Sequence, residues 1–178
     1  QNGADMLDVN TGLPEIDEAA TLVRAVREIQ AVSNLPLQID SSDSKAIERA
    51  VRQYNGKPVI NSVNGKQESM NAVFPIVQKY GAVVIGLTLD ENGIPETAQG
   101  RLKIAQKIVN EAAKYGIPKE DIVIDCLVLT ASAQQDLVIE TINAIKLVKS
   151  ELGLKTMLGV SNVSFGLPRR EILNSVFL

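Results

Sequence analysis

Short apolar runs that end on Asp, Asn or Thr recur along the chain, and a helical pattern follows each of them. The runs are Met6–Leu7–Asp8–Val9–Asn10, Leu37–Gln38–Ile39–Asp40, Val59–Ile60–Asn61–Ser62, Val83–Val84–Ile85–Gly86–Leu87–Thr88 and Ile122–Val123–Ile124–Asp125, with a sixth from Thr156 that stops on Ser161 and Asn162. They predict strands over 5–9, 35–40, 58–61, 82–88, 121–125 and 156–160. Between them the 3.6-residue period predicts helices from Pro14 or Glu15 to about Ala31, from a cap at Ser42 or Asp43 towards Tyr54, and over about 67–80, 97–115 and 133–151, with one more opening at Pro168. Pro14 suits a first helical position, and Glu15, Asp17 and Glu18 suit the positive end of the helix dipole. The buried stripe expected of that first helix is Ile16, Ala19, Ala20, Val23, Val26 and Ile29. Pro75, inside the third helical pattern, predicts a kink or a late helix start.

Strict alternation of near-continuous apolar strands with helices predicts a parallel sheet covered by helices, in the α/β class. A doubly wound sheet gathers its ligand at one switch point, usually with a Gly-rich first turn, and no G-x-G-x-x-G or Walker-type loop is present. A (β/α)8 TIM barrel brings residues from many strand ends to one face, which is the pattern of the polar endings. A whole barrel needs eight units in about 250 residues. The six βα units therefore predict a truncated piece, a single domain over 1–178 cut at both ends. Gln1–Asn2–Gly3–Ala4 reads as a helix tail capped by Gly3, and Pro168–Leu178 opens a helix that no strand follows. Open edges at strands 5–9 and 156–160 lead to the expectation of a homodimer, by edge pairing or strand swapping.

A chain of 178 residues, 45% hydrophobic and with mean hydropathy +0.07, can bury one sizeable core. Its net charge of −3 and pI near 5.1, with basic residues scattered among acids, provide no basic stripe for nucleic acid. The single cysteine, Cys126, cannot form an internal disulfide and lies in an apolar run, as a small core residue does. No signal peptide or long apolar span is visible, so no membrane contact is expected and the cytoplasm is the expected location.

The polar endings place Asp8, Asn10, Asp40, Asn61, Asp125, Ser161 and Asn162 at one rim. The chain has no His, and none of these strand ends carries Lys. A Schiff-base aldolase, a histidine base and a nucleophilic triad each lack their central residue. Taken singly, Asp8, Asn10 and Asn61 read as helix caps or turn formers; recurrence on several strands turns the reading towards a ligand. Carboxylates with amides fit two chemistries: an oxygen-ligand metal site, or a flat ligand offering N–H donors to carboxylates and mixed groups to Asn.

The segments Asp8–Val9–Asn10–Thr11–Gly12, Ile39–Asp40–Ser41–Ser42, Ile60–Asn61–Ser62, Gly86–Leu87–Thr88–Leu89–Asp90–Glu91–Asn92–Gly93–Ile94–Pro95, Ile124–Asp125 and Leu158–Gly159–Val160–Ser161–Asn162–Val163–Ser164 resemble, in order and spacing, the pterin-binding methyltransferase family. Its members are the folate-binding barrel of cobalamin-dependent methionine synthase and the methyltetrahydrofolate:corrinoid protein methyltransferases. The resemblance covers almost the whole chain. It implies a methyltransferase of one-carbon metabolism on a TIM barrel, with methyltetrahydrofolate as substrate and a cobalamin or other corrinoid supplied by a partner domain or protein. By the same resemblance Asp40, Asn61 and Asp125 hold the pterin ring, with Asp8, Asn10 and Ser161 beside it, Asn162 faces the methyl-bearing N5, and Arg170 reaches the glutamate tail. No resident metal is implied. Cys126 stands where many members carry Pro. Two rivals remain: a barrel lyase or isomerase holding Mg²⁺ or Mn²⁺ on Asp8, Asp40 and Asp125, and a dihydropteroate synthase-like pterin enzyme, which needs rim cations for a diphosphate and finds only Arg169 and Arg170.

Overall fold

The computed structural model describes residues 3–132 and 135–178. Six parallel strands, β1 (Leu7–Asn10), β2 (Leu37–Asp40), β3 (Val59–Asn64), β4 (Val83–Leu87), β5 (Ile122–Asp125) and β6 (Lys155–Met157), form one sheet in sequence order. This is the order of a barrel wall; a dinucleotide-binding sheet would run 3-2-1-4-5-6. Helices α1 (Glu18–Val32), α2 (Ser44–Val51), α3 (Gln67–Tyr80), α4 (Ala98–Lys114) and α5 (Gln135–Leu147) alternate with the strands, and α6 (Arg170–Phe177) follows β6. Among the described residues no helix is long and apolar enough to cross a membrane.

Strand side chains alternate between the two faces, and here the alternation divides packing from polarity. Val9, Leu37, Ile39, Ile60, Val84, Ile122 and Ile124 face the helices. They form one buried cluster with Leu22 and Val26 of α1, Ala46 and Ile47 of α2, Met70 and Phe74 of α3, and Ile104 and Ile108 of α4. Each large aliphatic residue removed from water there contributes about 1.5–3 kcal/mol. Helix α4 lies so close on β4 that a Cβ at Gly86 would stand 3.1 Å from both Ile108 Cγ2 and Ile124 Cδ1. The opposite face carries Asp8, Asn10, Gln38, Asp40, Asn61 and Asp125.

Several local expectations are corrected. Helix α1 starts at Glu18, because Asp17 is the cap and its side chain accepts from the Ala20 N–H at 2.9 Å. Pro14 lies in the preceding turn, where Glu15 has φ of 66°, outside any helix. Ile16 is thus outside α1 and Ala20 is exposed, while Leu22, absent from the expected stripe, is fully buried. Asp43 rather than Ser42 caps α2, accepting from the Lys45 N–H. Helix α3 runs unbroken through Pro75, whose exposed position leaves the carbonyl it cannot serve open to water. The fifth helical segment ends in a π-turn, Val148–Leu152, closed by Gly153 at φ 67°. Strand β6 ends at Met157, and Val160–Asn162 is one turn of 3-10 helix, not its continuation. Of the opening tetrapeptide, Gln1 and Asn2 lie outside the described residues, as do residues 133 and 134 of the expected 133–151 helix. Helix α6 opens at Arg170, two residues after Pro168.

Candidate functional site

Register decides which rim residues meet. Asn10 pairs with Asp40, Asp40 with Asn61, and Asn61 with Ile85, so the first three stand side by side on the polar face, Asn10 and Asp40 at the C-terminal ends of β1 and β2. Asn61, expected to end its strand, stands three residues before the end of β3, whose pairing with β4 continues to Asn64 after a register shift. Leu87, Asp125 and Met157 form a second row, two residues further along β4, β5 and β6. Both rows share one face, and the step between them is the stagger that closing a barrel demands.

Asp40 is half-buried. Its carboxyl is held above the usual aspartate range, first by burial and then by the charges of Asp8 and Glu18, while the Asn10 amide pulls the other way. Glu18 receives a hydrogen bond from the buried Ser41 hydroxyl, which ties the start of α1 to the end of β2. Asp125 is 8% exposed. Burial pushes its pKa up, opposed by the Leu127 N–H, which donates to Oδ1 at 2.7 Å. The neighbouring Cys126 thiol is fully buried, and burial followed by the Asp125 charge pushes it up to about 12. It is a protonated core group at neutral pH.

Asp8 lies two residues before the end of β1, one layer deeper than Asn10, and accepts from Gln38 Nε2 at 2.6 Å. Asn10 also forms a turn, its Oδ1 accepting from the Gly12 N–H at 2.9 Å, so the turn-forming and ligand-facing readings coexist there. Beside the Asp40–Asn61 pair a cleft of about 460 Å³ opens between the starts of α2 and α3, lined by Ser41, Ser44, Ser62, Asn64, Lys66 and Ser69 among others.

Ser161 and Asn162 are displaced from the position expected of them. Both are exposed in the 3-10 turn, four and five residues past the end of β6. Asn162 folds back so far that a Cβ on Gly159 would meet its Nδ2 at 2.9 Å. The Ser161 carbonyl accepts from Arg170 Nη2 at 2.8 Å, Arg170 Nε reaches the Ser164 hydroxyl at 3.2 Å, and the guanidinium lies 5.9 Å from the Phe165 ring centre. Arg170 thus fastens the turn that presents Asn162. Arg169, at φ 54°, precedes the helix.

Asp40 and Asp125 are three strand spacings apart, roughly 14 Å along the sheet. Among the described residues no group of three His, Cys, Asp or Glu side chains is placed to hold a metal ion. Two participants were missed in the sequence. Gln38 could have been found from alternation, which puts it on the Asp40 face. Arg101, buried in α4, could have been found as a cation on the apolar stripe Ala98, Arg101, Ile104, Ala105, Ile108.

A sequential parallel α/β sheet with a polar rim at its carboxyl ends defines a ligand-binding barrel wall. The family model described as pterin binding enzyme matches residues 1–178, and the chain belongs to that family. It is 34% identical over 191 residues to methionine synthase of Mycobacterium leprae, covering 100% of this chain and 16% of that protein. It is 30% identical over 183 residues to the methylcorrinoid:tetrahydrofolate methyltransferase of Eubacterium limosum, covering 99% of this chain and 66% of that one. The chain therefore spans about one sixth of the first relative and just under two thirds of the second. Among solved structures, Yersinia pestis dihydropteroate synthase superposes with a TM-score of 0.70 at 14% identity over 98% of this chain and 70% of that one. The Thermus thermophilus dihydropteroate synthase in complex with 6HMPPP gives 0.68 at 16% identity, covering 98% and 71%. At such identities the likeness shows the fold, and it confirms the TIM-barrel class.

Proposed function

We propose that residues 1–178 form a methyltetrahydrofolate-binding barrel unit, and that the protein is a methyltransferase passing the N5 methyl group to the cobalt of a corrinoid carried on another domain or protein. The observation that carries this reading is the shared polar face, on which Asn10, Asp40 and Asn61 stand in register and the buried Asp125 stands one step above. A pterin is flat, with N–H donors along one edge and acceptors among them. Carboxylates on β2 and β5 with an amide on β3 suit such a ligand better than they suit a cation. The named relatives, a methionine synthase and a methylcorrinoid:tetrahydrofolate methyltransferase, support the same direction.

In this reading Asp40, Asn61 and Asp125 hold ring donors and the exocyclic amine, and Asp8, through Gln38, forms the floor beneath them. Ser161 and Asn162 sit over N5, with Arg170 holding their turn. The reduced corrinoid, when docked, supplies the electron pair that takes the methyl group. As the N5–CH3 bond breaks, its electrons stay on N5, which needs a proton or a hydrogen-bond donor to leave. In this reading the Asn162 amide serves as that donor, and a contact that strengthens as N5 gains electrons lowers the barrier. A second copy pairing along the β1 or β6 edge, each of which has one neighbour in the sheet, and a cytoplasmic location complete the proposal. Calorimetric titration with methyltetrahydrofolate and separately with 6-hydroxymethylpterin diphosphate, each with and without EDTA, tests the reading. Metal-independent binding of the first is expected; preference for the diphosphate, or loss of binding on chelation, overturns it.

A further inference from the structure

Arg101 is fully buried on α4, and its guanidinium lies against the loop that follows β5. Nη1 donates to the Cys126 carbonyl at 3.1 Å, to the Leu127 carbonyl at 3.0 Å and to the Thr141 hydroxyl of α5 at 2.6 Å, while Nε donates to the Pro95 carbonyl at 2.9 Å. Nη2 is buried and has no hydrogen-bond partner among the described residues. No ion pair involving Arg101 forms among those residues either. Among the described residues its hydrogen bonds go to carbonyls and a hydroxyl, with the Glu140 charge in range, and a buried guanidinium held this way is a costly way to fill space. The same stripe of α4 fills its other core positions with Ala, Ile and Val.

What the cation secures is the conformation of Leu127. This residue has φ of 56°, the left-handed region that is strained for a residue with a Cβ. In that conformation its N–H turns back onto Asp125 Oδ1 while its carbonyl is taken by Arg101. Thr141 joins the same knot, its hydroxyl within 3.2 Å of the Leu127 carbonyl and 2.6 Å of Arg101 Nη1.

We infer that Arg101 is a positioning residue for Asp125: by clamping the Cys126 and Leu127 carbonyls, with Thr141 as its second anchor, it fixes the Leu127 N–H against the carboxylate and so sets the direction in which Asp125 meets its ligand. The ligand part of this inference rests on the pterin reading; the clamp itself does not.

The test uses the intact protein labelled with ¹⁵N-leucine, the Leu127 amide resonance and methyltetrahydrofolate titration. Asp125→Asn in the wild-type background measures how strongly the Leu127 amide senses the carboxylate. In Arg101→Lys, one ammonium cannot span the fork of acceptors. The Leu127 amide moves upfield, its response to Asp125→Asn shrinks, and methyltetrahydrofolate affinity falls about tenfold, the scale of one lost hydrogen bond. Thr141→Val keeps the charge and the volume and gives a smaller change in the same direction, so it decides the matter where Arg101→Lys folds poorly. An unmoved Leu127 resonance with an undiminished response to Asp125→Asn in both variants overturns the inference, whatever happens to the melting temperature. If the wild-type protein binds no methyltetrahydrofolate, the functional reading fails, and the Leu127 resonance still decides the clamp.

Discussion

The Gln38 amide donates to the Asp8 carboxylate at 2.6 Å across β2 and β1, directly beneath the registered pair Asn10 and Asp40. Gln38 is almost fully buried, yet Asp8 is exposed, so water can replace the amide at the carboxylate. Gln38→Leu is therefore expected to lower unfolding free energy by no more than about 1 kcal/mol, measured by urea denaturation, because Leu fills the same space and no buried group is orphaned. A loss well beyond that would mean that Asp8 depends on Gln38 for its place.

Asp125→Ala is expected to weaken methyltetrahydrofolate binding by roughly 1–3 kcal/mol, since it leaves ring donors unpaired in a partly dry site. Calorimetry on the variant checks this, and wild-type affinity would place the pterin elsewhere. Asp40→Ala is expected to act in the same direction.

Burial holds both Asp40 and Asp125 above the usual aspartate pKa. Between the ordinary and the raised values the folded protein binds more protons than the unfolded chain, so this contribution to stability is full below the ordinary value and is lost as pH rises through the raised ones. Ligand N–H donors favour the charged forms. Binding should accordingly tighten as pH rises through that window and release protons there, seen as a dependence of the calorimetric heat on buffer ionisation enthalpy; binding indifferent to pH in that window would remove both carboxylates from the site.

Asn162 separates catalysis from binding. With the intact protein and a reduced corrinoid partner, Asn162→Ala is expected to slow single-turnover methyl transfer by about 10²–10³-fold while changing methyltetrahydrofolate affinity little. An unchanged rate with weakened affinity would make it an ordinary contact.

Gly65 carries a packing prediction. A Cβ there would lie 2.7 Å from Ile104 Cγ2 and 2.9 Å from the Leu89 carbonyl oxygen, which accepts the Gly65 N–H at 2.8 Å. Gly65→Ala must part the β3–α3 loop from the β4–α4 loop, and a loss of about 1–3 kcal/mol is expected in denaturant unfolding.

The strand sequence was legible because each apolar run stops on a polar residue before a helical pattern begins, and in β2 the two faces are also written in residue type, Leu37 and Ile39 against Gln38 and Asp40, whereas β4 and the apolar part of β5 carry no such alternation. Helix starts were less legible where two capping residues compete, and Asp17 prevailed over Pro14 because it could accept a backbone N–H three residues on. The β6 end is hidden in the sequence because Leu158 and Val160 continue the apolar run, although the ladder with β5 stops at Met157. Arg101 does not stand out in the sequence because a charge on a helix is ordinarily solvated; only packing reveals that α4 turns it inward, towards the β5 loop.

The alternation of the strands also bears on how such a protein can change. Residues that hold the sheet to its helices and residues that face the rim are neighbours in sequence, yet they belong to separate sets, Ile39 to one and Asp40 to the other. A lineage can therefore exchange Asp40, Asn61 or Asp125 one at a time, trying new ligands on an inherited framework, without first solving the folding problem again.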